Sequence, residues 1–175
     1  DPSAPAAVAA MTTAYRALSA RLSGADTTSL LLSQRAWLKS RAYRCPDSTD
    51  KKLAQCLGQR SLERQRFLDG RAETGPGSGG RLVPVFIETP ARKGYYEIDV
   101  TALKYAEPAS GGEKLFNTEV DKLLKQVPPG KNDSFGRDRI YSYILHIRMV
   151  YASPQLISAH IDSYDFSGGA HGNGG

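Results

Sequence analysis

The chain has 175 residues and carries 23 Lys and Arg against 18 Asp and Glu, a formal net charge of +5 at pH 7. This length allows one ordinary domain or two small ones, and no apolar run reaches the roughly 18 residues that a membrane-spanning helix needs. The first residues, DPSAPAA, lack the basic and apolar regions of a signal peptide, which favours a mature N-terminus left by cleavage.

The positive charge is concentrated in the first part of the chain. Residues 1–75 hold 12 basic and 7 acidic side chains, whereas residues 76–175 hold 11 of each. Such a basic unit favours acidic partners, namely lipid headgroups, acidic envelope polymers or nucleic acid. A solvated helix surface without a partner is the alternative, and nucleic acid is not expected because no recognition helix or set of stacking aromatic residues accompanies the charge.

Three helices are predicted in the first 70 residues. Apolar residues at spacings of three and four predict the first helix, from Val8 to Leu22, and the sequence breaks at residues 23–25. Asp26 or Thr27 is the expected cap of the second helix, and Gly70 suits the end of the third. The second helix carries Leu31, Gln34, Trp37, Leu38, Arg41 and Cys45 on one face. The pattern of the third helix is Leu53, Cys56, Leu57, Arg60, Arg64, Phe67 and Leu68.

The chain contains two cysteines, one at the end of the second predicted helix and one at the start of the third. Cys45 and Cys56 are predicted to form a disulfide that clamps this helical hairpin, with two buried free thiols as the alternative. A zinc site is not expected, since two cysteines without nearby histidines do not fill a tetrahedral site. A disulfide indicates an oxidising compartment, so we expect a periplasmic or secreted protein, with a lipid anchor in the precursor as one variant.

The pattern changes after a glycine-rich stretch. Residues 71–81 are predicted to be a flexible linker or long loop between a first domain, 1–70, and a second, 82–175. Alternating apolar residues then predict strands around Val83–Ile87, Tyr96–Val100, Tyr141–Tyr151 and Leu156–Phe166, with a helix over Glu113–Val127. The predicted fold class is therefore α+β, a disulfide-clamped three-helix module followed by a small antiparallel sheet with one packed helix.

The helical half resembles the N-terminal domain of LprI-type lysozyme inhibitors, through Gln34, Trp37, Leu38, Arg41, Cys45, Cys56 and Arg60. The second half is similar to an extracytoplasmic domain found in lysozyme-sensing anti-sigma factors and beside polysaccharide deacetylases. Phe116-Asn117, the hairpin from Tyr141 and the ending SGGAHG carry that similarity. Gly168, Gly169 and His171 of this ending are predicted to form a tight turn. In that family the chain continues past the motif, which implies that the domain is incomplete at Gly175.

Both resemblances imply a lysozyme-type muramidase or peptidoglycan as the partner. The expected function is an envelope binding protein that binds or inhibits muramidases. The alternatives are binding of peptidoglycan or another acidic glycan without inhibition, or a structural accessory domain. The candidate binding residues are Trp37, Arg41, Tyr43, Arg44 and Arg60. Trp37 and Arg41 lie one helical turn apart, where a stacked pair contributes about 0.5–1 kcal/mol, although Trp37 also fits a place in the helical core.

No catalytic or metal-binding pattern is predicted. The chain has no G-x-S-x-G, H-E-x-x-H or P-loop motif, so we expect neither an enzyme nor a cofactor. His146 and His160 fall on adjacent predicted strands. Whether they share a face depends on the register, because a shift of one residue places them on opposite faces. His171 or Asp162 could complete a metal site with them, but the spacing does not require one, and no metal is predicted.

Overall fold

The computed structural model describes residues 4–45, 50–131, 139–168 and 173–174. For residues 42–44 and 173, it describes the backbone and not the side chains. The four helices are α1 (Ala4–Ser19), α2 (Gly24–Arg44), α3 (Asp50–Leu68) and α4 (Gly111–Leu124). The strands are β1 (Arg81–Thr89), β2 (Tyr96–Glu107), β3 (Tyr141–Ala152), β4 (Ile157–Phe166) and the short β5 (Asn173–Gly174).

The first three helices form a unit with its own apolar core. The predicted stripe of α1 is buried at Met11 and Leu18, which pack with Leu30 of α2 and Leu68 of α3. Gly70, two residues beyond the end of α3, has a φ of +67°, a backbone conformation that suits glycine at a helix end. The three predicted helices are therefore confirmed, although α2 begins at Gly24 after an N-cap at Ser23 rather than at Asp26 or Thr27.

The strands form one sheet in the order β1-β2-β3-β4-β5. The β1–β2, β3–β4 and β4–β5 pairs are antiparallel, and the central β2–β3 pair is parallel. The α+β class is confirmed, but the expectation of a purely antiparallel sheet is wrong at this central pair. Helix α4 lies between β2 and β3 in the chain, and such a crossover returns the chain so that the next strand runs parallel.

Successive side chains of β2 and β3 alternate between two covered faces. One face packs against Phe116, Val120 and Leu123 of α4, and its buried members are Tyr96, Ile98, Val100, Ala102, Tyr141, Leu145 and Ile147. The opposite face carries Asp99, Thr101, His146 and Arg148 and lies against α2 and α3. The sheet is therefore the middle layer of three, and the polar residues of β2 and β3 face the helical unit.

Residues 71–80 run along the sheet for part of their length. Three of their backbone N–H groups donate to carbonyl oxygens of β3 at 2.9–3.0 Å, from Glu73 to Met149, from Thr74 to Val150 and from Gly77 to Ala152. At their end, the N–H of Gly80 donates to the buried carboxylate of Glu113 at 2.9 Å, which also belongs to the capping box of α4. The division of the chain into two domains at this segment stays a prediction.

Candidate functional site

The two cysteines clamp α2 to α3. Cys45 directly follows α2 and is bonded to Cys56 in the second turn of α3, with a Cα–Cα distance of 5.8 Å. The predicted disulfide is thus present, and it supports an extracytoplasmic location. Over the described part of the chain, no helix combines the length and the apolar character that crossing a membrane requires.

A cavity of about 100 Å³ lies where α2 and α3 meet the polar face of the sheet. Its apolar wall includes Trp37, Phe67, Leu103 and Met149. Its charged lining consists of five arginines, three carboxylates and one histidine: Arg41, Arg60, Arg64, Arg71, Arg148, Glu63, Glu73, Asp99 and His146. The cavity therefore combines an apolar wall with an excess of positive charge.

Three of the five candidate binding residues meet at this cavity. Trp37, Arg41 and Arg60 all line it. The guanidinium carbon of Arg41 lies 5.3 Å from the centroid of the Trp37 ring, within the range of a cation–π contact. Trp37 is partly buried and also packs against the helical core, so its contact with Arg41 and its place beside the core occur together.

The structure describes the other predicted site residues only in part. Tyr43 and Arg44 lie in the last turn of α2, and their side chains fall outside the described part of the structure. Gly168 follows β4 with a φ of +97°, as a glycine turn requires. Gly169 and His171 lie outside the described residues, so the predicted turn is described only at its first glycine.

Arg64 is a central residue of the site that the sequence analysis did not select. Only 6% of its surface is exposed, and its guanidinium donates to Gln34 Oε1 and Ser33 Oγ, each at 3.1 Å. Burial lowers the pKa of Arg64 to about 10, against the opposing charges of Asp99 and Glu88. Its place in the predicted pattern of the third helix, four residues after Arg60 and three before Phe67, is the sequence signal that could have singled it out.

A pair of carboxyl groups lies beside Arg64 on the sheet. Glu88 of β1 and Asp99 of β2 are direct cross-strand partners, and Asp99 Oδ1 lies 3.0 Å from Nε2 of His146 on β3. Burial and the charge of Asp99 raise the pKa of Glu88 to about 9. Burial acts to raise the pKa of Asp99 too, but its hydrogen bond and charge interaction with His146, together with the charge of Arg64, hold that pKa below its usual range. Glu88 therefore keeps its proton at neutral pH while Asp99 is ionised.

Two further ion pairs lie at the edge of the cavity. Arg60 contacts Glu63 at 3.1 Å within α3, and Arg148 of β3 contacts Glu73 at 3.5 Å. Burial raises the pKa of Glu73, and the charge of Arg148 opposes that shift. The Nε of Arg148 is buried and has no hydrogen-bond partner among the described residues.

The register of β3 and β4 decides the relation of the two histidines. His146 pairs with Asp162, and Arg148 pairs with His160, so His146 and His160 are diagonal neighbours on one face. His160 Nδ1 lies 3.3 Å from Asp162 Oδ2. Within residues 4–45, 50–131, 139–168 and 173–174, no group of three or more histidine, cysteine or carboxylate side chains is arranged to hold a metal ion.

Comparison with known proteins finds a similarity in the helical unit. The family model described as "Lysozyme inhibitor LprI" matches residues 3–71. This match includes the disulfide, Trp37, Arg41 and Arg60, and we call residues 3–71 the LprI-like unit. No comparison supports the resemblance of residues 82–175 to the sensor domain, which stays a prediction. No curated protein and no solved structure matches the chain.

The cavity is shared between the LprI-like unit and the rest of the chain. Trp37, Arg41, Arg60 and Arg64 belong to the unit, whereas Asp99, His146 and Arg148 lie on the sheet. On the other side of α2, a groove of about 410 Å³ runs between Arg35 and Lys39 of the unit and the sheet residues Glu97 and Ile144. The LprI-like unit therefore meets the sheet through two concave surfaces, one on each side of α2.

Proposed function

We propose that this protein is an extracytoplasmic binding protein that inhibits lysozyme-type muramidases through its LprI-like unit. The match of residues 3–71 to the lysozyme inhibitor family is the observation that carries this proposal. The Cys45–Cys56 disulfide agrees with it, because such a bridge persists outside the reducing cytosol. The family description is that of an inhibitor, which favours a binding protein over an enzyme.

The α2–α3 side of the cavity is the proposed contact surface. Tryptophan and arginine dominate the binding energy of many interfaces, and Trp37, Arg41 and Arg60 lie together there. A muramidase presents carboxylates in its sugar-binding cleft, and arginine binds carboxylates through two parallel hydrogen bonds. Arg41 lines the cavity and is placed to cover such carboxylates, and Tyr43 and Arg44, in the last turn of α2, stay candidates for the same role.

The charge of the LprI-like region predicts which muramidases are bound best. Residues 1–75 carry a net charge of +5 and residues 76–175 a net charge of zero. Like charges slow encounter and cost affinity when they are brought together. An acidic muramidase should therefore be inhibited more strongly than a basic one at low salt, and the difference should shrink as salt is added.

A turnover assay with peptidoglycan as the substrate tests inhibition directly. The intact protein should slow at least one muramidase at a micromolar excess, and Arg41→Ala should weaken this inhibition. Arg16→Ala is the matched control, because Arg16 is an exposed arginine in the last turn of α1, away from the cavity. Absence of inhibition across acidic and basic muramidases would remove the proposal.

Binding to an acidic envelope polymer without inhibition is a second candidate, which the uneven charge favours. Cosedimentation with insoluble peptidoglycan over a salt series tests it. Binding through the basic unit should weaken steadily with salt, since exposed charges are screened. Binding that does not respond to salt would contradict this candidate.

A further inference from the structure

We propose that the cavity between α2, α3 and the polar face of β2 and β3 is a binding site for a carboxylate attached to a small apolar group. The carboxylate belongs either to a small free acid or to an acidic side chain of a bound protein. The site itself does not depend on muramidase inhibition. It deepens the proposed function only where the carboxylate comes from the muramidase.

The arrangement of charges leaves positive charge without a direct partner. Each of the three lining carboxylates already has a basic neighbour, in the pairs Glu63–Arg60, Glu73–Arg148 and Asp99–His146. Among the described residues, no carboxylate oxygen lies within 4.0 Å of the Arg64 guanidinium, whose hydrogen-bond acceptors are the neutral side chains of Ser33 and Gln34. The charge of Asp99 acts on Arg64 from beyond that distance, so the cavity has a cationic group that an added anion would contact directly.

Donors also remain for such an anion. A guanidinium has five N–H groups, and in Arg64 two of its nitrogens, Nε and one terminal nitrogen, donate to acceptors of the described protein. The buried Nε of Arg148 adds a donor without a partner among the described residues. Because an unpaired buried donor costs free energy, an oxygen acceptor that reached one of these donors would be stabilised.

The wall and the size of the cavity select the kind of anion. Trp37, Phe67, Leu103 and Met149 line it beside the arginines, and these side chains contribute nothing to binding of inorganic phosphate or sulfate. A volume of about 100 Å³ is several times the roughly 10–15 Å³ that a single water needs. This volume suits a carboxylate with a short apolar substituent, such as propionate.

The tryptophan of the wall provides the measurement. Trp37 is the single tryptophan of the sequence and lines the cavity, so tryptophan fluorescence reports on the surroundings of this one side chain. At constant ionic strength, propionate should change the fluorescence in a saturable manner. Propionamide, which has nearly the same shape without the charge, and inorganic phosphate should each bind about tenfold more weakly or worse, as expected when hydrogen bonds to a charged group are removed.

Arg148→Gln is the informative variant, because Arg148 is partly exposed and its replacement should leave the fold intact. It should weaken propionate binding by about tenfold or more, whereas Arg16→Gln, at an exposed arginine outside the cavity, should titrate as the wild type does. Equal titrations with propionate and propionamide would overturn the proposal. A wild-type titration in Arg148→Gln would overturn it as well.

A final arm distinguishes the two sources of the carboxylate. Saturating propionate should relieve muramidase inhibition if the site receives an acidic side chain of the muramidase. It should leave inhibition unchanged if the site serves a free acid. Because the fluorescence titration needs no muramidase, failure of the proposed inhibition and failure of the carboxylate site give different results.

Discussion

Arg64 is the residue through which the LprI-like unit reaches the sheet. It extends from α3, bonds Ser33 and Gln34 of α2, and places its guanidinium 5.1 Å from the ring of Phe67 and 5.9 Å from that of Phe86 on β1. These contacts account for a buried arginine whose guanidinium has no carboxylate oxygen within 4.0 Å among the described residues. The Arg64 side chain therefore contributes through packing against these rings as well as through its charge.

Replacing Arg64 by alanine should lower the free energy of unfolding by about 2–4 kcal/mol. Two buried polar partners, Ser33 and Gln34, would be left without their hydrogen bonds, and the missing side chain would enlarge the cavity. Urea denaturation measures this decrease. Arg16→Ala, at an exposed position, should change stability by less than about 0.5 kcal/mol, and an Arg64→Ala protein equally close to the wild type would contradict the assigned role.

Glu88 should make stability fall as the pH rises. Its pKa is raised from 4.5 to about 9 by burial and by Asp99, so between those values the folded state holds a proton that the unfolded chain releases. The free energy of unfolding then decreases with pH in this range, by at most about 1.4 kcal/mol per pH unit for one proton. The stability that the protonated Glu88 contributes is fully present below pH 4.5, the pKa of the unfolded chain, and is lost as the pH rises through about 9, the pKa in the fold.

Glu88→Gln tests this dependence, because the amide stays neutral at every pH and can still donate to Asp99. The variant should gain stability relative to the wild type between about pH 5 and about pH 8, as measured by urea denaturation at several pH values. Glu97→Gln is the control, since Glu97 is exposed on the same sheet. An unchanged difference between Glu88→Gln and the wild type across this range would show that Glu88 is ionised in the fold.

At the scale of elements, the α2–α3 hairpin depends on its disulfide. The bridge joins residues 11 apart in sequence, and closing a loop of this size stabilises a fold by about 2–3 kcal/mol in the chain-entropy model. Reduction, or the double substitution Cys45→Ser with Cys56→Ser, should lower the free energy of unfolding by that amount. Urea denaturation with and without reductant measures it, and identical curves would contradict a structural role for the bridge.

Much of the element structure could be predicted because it is encoded locally. The spacing of Met11 and Leu18 predicted α1, and the alternation at Tyr96, Ile98 and Val100 predicted β2. The parallel β2–β3 pair was missed, because alternation indicates a strand but not the direction of its neighbour.

The candidate site was predictable only in part, for the same reason. Trp37, Arg41 and Arg60 share the faces of two adjacent helices, which the helical period places together. Glu88, Asp99 and His146 lie on three different strands and meet only through the register of the sheet. Register depends on pairing between distant segments, so these three residues could not be brought together from the sequence alone.

At the scale of the whole molecule, the helical unit and the sheet share apolar contacts. Phe86 of β1 packs against the helical core, and its ring forms an edge-to-face contact with Phe67 of α3 at a centroid distance of 5.6 Å. Phe67 also packs against the cluster of Leu103 and Met149 on the sheet. These contacts couple the two parts, whereas the sequence analysis separated them by a linker.

The coupling predicts a single unfolding transition that Phe86→Ala should divide. In the wild type, Trp37 fluorescence reports on the helical unit and the NMR signals of Tyr96 and Tyr141 report on the sheet, and the two should change at the same urea concentration.

Phe86→Ala removes the aromatic ring that packs on Phe67 and should lower the stability by about 2–4 kcal/mol. Without that ring, the two probes should report separate midpoints, while Leu156→Ala, at a residue 58% exposed, should leave them coincident. Separate midpoints already in the wild type would instead favour two independent domains joined at residues 71–81.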